Sequence, residues 1–227
     1  MRGGTVKLIA HRGGRGFGTD NSLEAMERAA ASGVRMIEVD VRVTRDNQLV
    51  VCHDQNIWGH SVRGNTYEEL LKLAPERPLL REVLEKLAGW VAFDIEVKDA
   101  PPRAVGEMLE DHRIEMDTLV TSFHRGFLRE FTTMFPGVRA GLLYRMPYGR
   151  DRKIAAALDL KAEVILPYYH SIDRETVEEA HRQGLAVYAW TVNNTDDVQR
   201  LYGWGVDGLI TDRYLEVRSF LEERGMV

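Results

Sequence analysis

Four stretches of this sequence join an apolar run to residues that bind ions or move protons: Ile9-Ala10-His11-Arg12, Glu38-Val39-Asp40, Cys52-His53-Asp54 and Glu96-Val97-Lys98. In an extended chain, residues i and i+2 share one face about 7 Å apart. Glu38 and Asp40 therefore point the same way, as do Glu96 and Lys98. Each feature alone has an ordinary reading: a hydrogen-bonded structural histidine at His11, a solvent-facing edge strand at Glu38 and Asp40, an ion-paired couple at Glu96 and Lys98. Together they predict a site. Carboxylates crowded into a low-dielectric mouth destabilise a fold unless something positive lies between them, and a cation is the natural candidate. Glu38, Asp40 and Glu96 offer oxygen only, which suits a hard divalent ion, Mg²⁺ or Ca²⁺, and argues against thiolate-bound zinc. His11 and His53 remain for proton transfer, one as base and one as acid, since imidazole titrates near neutrality. Arg12 and Lys98 add fixed positive charge. The set suits an anionic phosphate ester, whose phosphoryl oxygens gather charge in the transition state.

Such residues must be carried to one place by the elements around them. Short β-branched runs predict strands at 6–10, 36–43 with 49–52 as an extension or extra strand, 91–97, 118–122, 139–143, 164–167, 186–191 and 208–211. Amphipathic stretches predict helices at 22–32, 79–87, 103–111, 126–134, 151–160, 174–183, 195–202 and 214–224. Asp20 or Asn21 is the expected N-cap of the first and Asn194 of the seventh, with Gly33 and Gly184 as stops. Eight strand-then-helix units fit an α/β TIM-type (β/α)₈ barrel, usually of about 250 residues. An open doubly wound sheet would need its glycine-rich turn to enter a helix directly, and here Gly13, Gly14, Gly16 and Gly18 are separated from the helix by Asp20 to Ser22. No composition shift marks a second domain, so residues 1–227 read as a single catalytic domain with a short insert at about 54–78, after the second strand region. In a barrel the site lies at the carboxyl ends of the strands, where all four stretches fall.

Composition narrows the partners. The chain has 227 residues, 44% of them hydrophobic, and a net charge of −5 from 30 basic and 35 acidic residues. Scattered basic residues lack the attraction to polyphosphate that nucleic-acid binders need, which predicts no nucleic-acid partner. The apolar run after Met1 to Thr5 is too short for a signal core or an integral membrane segment. The one cysteine, Cys52, cannot form an internal disulfide. A cytoplasmic protein acting on a small molecule is expected.

His11-Arg12-Gly13, Asp20-Asn21-Ser22, Glu38-Val39-Asp40, His53-Asp54, Glu96-Val97-Lys98, Ser122-Phe123, Trp190-Thr191-Val192-Asn193 and Gly208-Leu209-Ile210-Thr211-Asp212-Arg213 resemble, in order and spacing, the glycerophosphodiester phosphodiesterase family. The resemblance runs from about residue 8 to residue 213. It implies a TIM-type barrel that hydrolyses glycerophosphodiesters to glycerol 3-phosphate and an alcohol. On matching positions it implies His11 and His53 as the acid/base pair, Glu38, Asp40 and Glu96 as ligands of a divalent cation, and Arg12 and Lys98 as phosphate contacts. Trp190, at the end of the seventh strand, is placed to pack against glycerol carbons. Three departures stand out. Asp20-Asn21-Ser22 replaces the usual Glu-Asn-Thr, Tyr214 stands where proline commonly follows Thr-Asp-Arg, and the insert is short and lacks an Arg-Thr-Thr-like run. Because that insert borders the substrate entrance in the family, the alcohol specificity does not transfer.

Other residues invite a role. Cys52 beside His53 is read as a buried, apolar-like cysteine, since strand neighbours point to opposite faces. His60, His112, His170 and His181 are read as surface residues, and His124, past Ser122-Phe123, as a possible lining residue. Tyr144 and Tyr168 end strands and are candidates for an apolar wall. Three competing functions remain: lysophospholipase D-type cleavage of lysophospholipids, a zinc amidohydrolase barrel, which would want His-x-His where only His11 stands, and a non-catalytic binding protein for glycerophospho ligands, which predicts loss of a site group.

Overall fold

The computed structural model describes residues 5–145 and 149–226, so most of the N-terminal stretch Met1 to Thr5 lies outside the described residues. Strands β1 (Lys7–Ala10), β2 (Met36–Val43), β3 (Leu49–Val51), β4 (Asn56–Ile57), β5 (His60–Ser61), β6 (Ala92–Val97), β7 (Thr118–Ser122), β8 (Arg139–Tyr144), β9 (Val164–Pro167), β10 (Ala186–Ala189) and β11 (Gly208–Thr211) form two sheets. Eight run parallel in the order β1-β2-β6-β7-β8-β9-β10-β11, and β11 pairs back onto β1 through Lys7 to Gly208 and the three following pairs. The sheet is therefore closed. Helices α1 (Leu23–Ala31), α2 (Tyr67–Leu71), α3 (Leu80–Leu87), α4 (Pro102–His112), α5 (Arg125–Met134), α6 (Arg150–Asp159), α7 (Arg174–Arg182), α8 (Thr195–Trp204) and α9 (Tyr214–Glu222) follow in chain order. All but α2 alternate with the barrel strands, giving the expected (β/α)₈ architecture.

Burial on both faces explains how a strand such as Met-Ile-Glu-Val-Asp-Val-Arg-Val is almost entirely buried. Its odd positions Ile37, Val39, Val41 and Val43 join the large apolar layer between sheet and helices, as do Phe93, Ile95 and Val97 of β6. The even positions turn into the barrel. There Met36 packs with Ile9, Leu119, Leu143, Val164, Leu166, Tyr188 and Ile210 as an inner plug. A Cβ at Gly208 would come 2.7 Å from the Tyr188 ring, so a residue without a side chain is needed where that ring crosses the floor.

The cap of α1 is Ser22, whose Oγ accepts from Ala25 N, rather than the expected Asp20 or Asn21. Asn194 caps α8 as expected. The run 49–52 is a separate strand, β3, antiparallel to β2. Strand β10 stops at Ala189, short of the expected 191, and Trp190 makes an isolated bridge to Tyr168. The insert holds the β4–β5 hairpin and α2, the latter started by a Thr66/Glu69 capping box. It is organised by an apolar cluster of its own: Val50, Cys52, Ile57, Val62, Leu70, Ala74 and Leu79. No helix among the described residues is long and apolar enough to cross a membrane.

Candidate active site

Strand β1 ends at Ala10, and the chain turns at once through His11–Gly13. Arg12, Gly13 and Gly14 have φ of 50°, 68° and 85°. A Cβ at Gly13 would lie 2.8 Å from Met26 Cε and 3.1 Å from Asn21 Cα, so this tight passage over α1 needs glycine. The turn aims backbone and side chain at the neighbouring strand. Arg12 N donates to Glu38 Oε2 at 2.7 Å, and Arg12 O accepts from Asn21 N at 2.7 Å. Asn21, fully buried, donates from Nδ2 to Asp40 Oδ2 at 2.8 Å. Asp20, the shortened carboxylate, instead faces Arg12 at 3.5 Å and Arg15 at 3.4 Å.

Parallel register sets Asp40 beside Glu96 and Glu38 beside Asp94. These are interior positions of β2 and β6, neither of which is an edge, so the solvent-facing reading of Glu38 and Asp40 fails. One oxygen each from Glu38, Asp40 and Glu96 lies within 4.8 Å of the others, and all three residues are buried. Glu38 Oε1 has no hydrogen-bond partner. Three convergent carboxylates, with an unbonded buried oxygen on Glu38, fit a hard divalent cation. Burial first, then Asp40, Glu96 and Asp94, raises the Glu38 carboxyl well above its usual range. Burial likewise raises Glu96, against the pull of Lys98. For Asp40 burial is outweighed by Lys98, His53 and Asn21, and the carboxyl is lowered.

Lys98, just past β6, is the internal counter-charge. Its Nζ lies 2.9 Å from Asp40 Oδ1 and also contacts Glu96 Oε1. Burial disfavours this ammonium, but the two carboxylates win and raise its pKa. The ion-paired reading of Glu96 and Lys98 thus describes part of the arrangement, within a larger cluster.

His11 Nδ1 lies 2.7 Å from Asp212 Oδ1, and its Nε2 lies 3.9 Å from Glu38 Oε2. Asp212 is itself held: Asn193 Nδ2 donates to its Oδ2 at 2.7 Å, and Asn193 Oδ1 accepts from Asp212 N and Thr211 Oγ1. Although burial works to raise it, hydrogen bonds from His11 and Asn193 bring the Asp212 carboxyl down to about 2. His53 is half-buried, with Nδ1 2.8 Å from Asp54 Oδ1. Burial lowers its pKa and Asp40 partly offsets that.

His11, Arg12, Glu38, His53, Glu96, Lys98 and Trp190 line one pocket of about 380 Å³, and Asp40 is buried beside it. Its remaining wall includes Phe123, Leu143, Arg145 and Ile210. Trp190 is fixed by Nε1 donating to Leu166 O at 2.8 Å and by rings of Phe123 and Tyr168, each 5.6 Å away.

Several expectations outside this set are redirected. Tyr168 flanks Trp190, but Tyr144 belongs to the outer apolar layer under Lys153. His124 lines a separate groove beside Pro102 and Phe127. His60 and His170 are exposed, while His112 and His181 are partly buried and bonded to Met108 O and Asp207. Cys52 is buried, and burial raises its thiol pKa.

Three residues escaped the sequence reading. Asp212 and Asn193 sit inside quoted motifs but carried no role. Asp94, two before Glu96 on the same strand face, follows the alternation that marked Glu38 and Asp40; it bonds Thr121 Oγ1 at 2.7 Å, and burial pushes its pKa up to about 7.

The family model for the glycerophosphoryl diester phosphodiesterase family matches residues 11–216 of this chain. The chain belongs to the glycerophosphoryl diester phosphodiesterase family. The glycerophosphodiester phosphodiesterase of Caldanaerobacter subterraneus subsp. tengcongensis is 33% identical over 90% of this chain and 93% of that protein. A glycerophosphodiester phosphodiesterase from Parabacteroides distasonis has a crystal structure with TM-score 0.86, 25% identity, and coverage of 97% of this chain and 98% of its own. The fold is also that of an Oleispira antarctica phosphodiesterase solved in complex with the product sn-glycerol-3-phosphate, with TM-score 0.85, 21% identity, and coverage of 96% and 97%. The barrel and the ordered motifs of the phosphodiesterase family therefore coincide in one molecule.

Proposed function

We propose that this protein hydrolyses glycerophosphodiesters to glycerol 3-phosphate and an alcohol, within one catalytic domain whose excursion at 54–78 borders the site. The observation that carries the reading is the convergence of Glu38, Asp40 and Glu96 beside His11 and His53 in a single pocket. Family membership and the product complex of the Oleispira antarctica phosphodiesterase support the same substrate class.

Glu38, Asp40 and Glu96 would hold Mg²⁺ or Ca²⁺. The bound ion would supply charge neutralisation at the phosphoryl oxygens. Arg12 and Lys98 add fixed cations on the same wall, orienting the phosphate for attack. His11 is the base: Asp212 stays ionised, keeps the proton on Nδ1, and stabilises the imidazolium formed when Nε2 takes the proton of the attacking oxygen. His53 is the acid, giving its proton to the leaving alcohol as the phosphorus–oxygen bond to that alcohol breaks. The arriving phosphate anion favours the protonated imidazole. Trp190 offers an apolar plane to glycerol carbons. The single buried thiol, Cys52, suits the reducing cytoplasm.

The test is release of glycerol 3-phosphate, choline or ethanolamine from a panel of glycerophosphodiesters and lysophospholipids, with and without chelator. Glycerol 3-phosphate from the diesters, abolished by chelator and restored by Mg²⁺ or Ca²⁺, supports the reading. Cleavage of lysophospholipids alone, or no cleavage of any diester, overturns it.

A further inference from the structure

The wall of the pocket facing the carboxylates has a charge that the proposed chemistry does not use. Arg145 follows the last residue of β8. In the closed sheet β8 is four strands from β1 in either direction, so Arg145 stands across the mouth from His11 and Arg12, and it lines the same pocket. Its guanidinium carbon lies 5.4 Å from the Tyr168 ring centroid and 5.8 Å from that of Trp190.

Two consequences follow from this placement. Aromatic faces at a pocket wall are good partners for a quaternary ammonium, but here a resident cation already lies beside them. A choline-like group entering this wall meets positive charge instead of open ring faces. A guanidinium set beside ring faces at a pocket wall can also offer its N–H groups to a planar acceptor such as a carboxylate or phosphate. In the reading above the phosphodiester itself is met by Arg12, Lys98 and the carboxylate site on the opposite side. One more cation, set apart from them, matches a second anionic group.

We infer that Arg145 selects the arm of the diester that projects away from the carboxylates, favouring an arm with a second negative charge and disfavouring a cationic head group. This rests on the phosphodiesterase reading above and names its substrate class.

The experiment compares kcat/KM of the full-length enzyme, Arg145→Ala and Arg145→Lys on three probes: glycerophosphocholine, glycerophosphoglycerol and bis(glycerophospho)glycerol. Arg145 is solvent-exposed, so its substitution leaves the fold intact, and circular dichroism verifies this. Arg145→Ala is expected to lose about tenfold on bis(glycerophospho)glycerol, the scale of a charge-assisted hydrogen bond, to change little on glycerophosphoglycerol, and to gain about threefold on glycerophosphocholine. Arg145→Lys is expected to keep the charge preference with a smaller loss. An equal loss on all three probes would show that Arg145 grips the shared phosphate, and no change on any would show that it is a bystander; either overturns the inference. Failure of the wild-type enzyme to cleave any probe defeats the function reading instead, so the two failures are distinct.

Discussion

Asp212 Oδ1 and His11 Nδ1 meet at 2.7 Å although 201 positions separate them in the chain. The contact exists because β11 closes the sheet against β1 in exact parallel register, Ala10 beside Thr211, so the residues that follow each strand emerge side by side. A carboxylate so placed fixes the imidazole tautomer and compensates the charge that forms on it.

Asp212→Asn removes that compensation while leaving the shape. Turnover is expected to fall by about 10² or more. The same change alters acid stability. The folded-state pKa of about 2 lies below the usual 3.8, so the stabilisation is present above about pH 4 and lost as pH falls toward 2. Its size is about 2 kcal/mol. Denaturant unfolding from pH 7 to pH 2 should therefore show a steeper loss in wild type than in the variant, and parallel curves would refute the assignment.

His11→Ala or His53→Ala should each lower turnover by about 10² or more while cation binding persists, because general acid/base help is lost and the oxygen ligands remain. Steady-state kinetics beside calorimetric cation titration separates the two effects. Full activity in both variants would reject the roles.

Glu38→Ala and Asp40→Ala should weaken cation affinity and, with it, activity at low cation concentration. Asn21→Ala acts one step removed. Asp40 Oδ2 loses a buried donor, so a tenfold or greater loss of affinity is expected, of the order seen when a ligand's hydrogen-bond partner is removed, with about 1–3 kcal/mol of stability. An Asn21 variant with unchanged cation affinity would limit that residue to packing.

Lys98→Met should destabilise the protein in chelator more than in saturating Mg²⁺. Without the ammonium, Asp40 and Glu96 face each other buried, and an added divalent ion replaces the missing charge. Thermal unfolding with and without cation reads the difference, and an equal drop in both conditions would mean that the lysine does not compensate these carboxylates.

Much of this arrangement was legible in the sequence because strands buried on both faces expose charged residues as anomalies. Glu38 and Asp40 interrupt a β-branched run at a period of two, a pattern an edge strand also shows, and the matching anomalies at His11, His53 and Glu96 point it inward. Asp94 was equally readable by the same period but was passed over for Lys98. What could not be read is whatever depends on closure. Asp212 and Asn193 gain meaning only once β11 lies against β1. Arg145 gains it only once the eight strands fix which rim positions oppose each other. The true cap, Ser22, was missed because Asn21 is drawn inward to Asp40 and so is spent elsewhere.

The stretch from β3 to the start of α3 carries a small nucleus of its own, from Val50 through Ile57, Val62 and Leu70 to Leu79. Substitutions within it are felt locally, since the eight-stranded scaffold is held by other side chains. Changes to this segment can therefore be accommodated at little risk to the barrel beneath. The barrel's foldability does not hang on that peripheral nucleus.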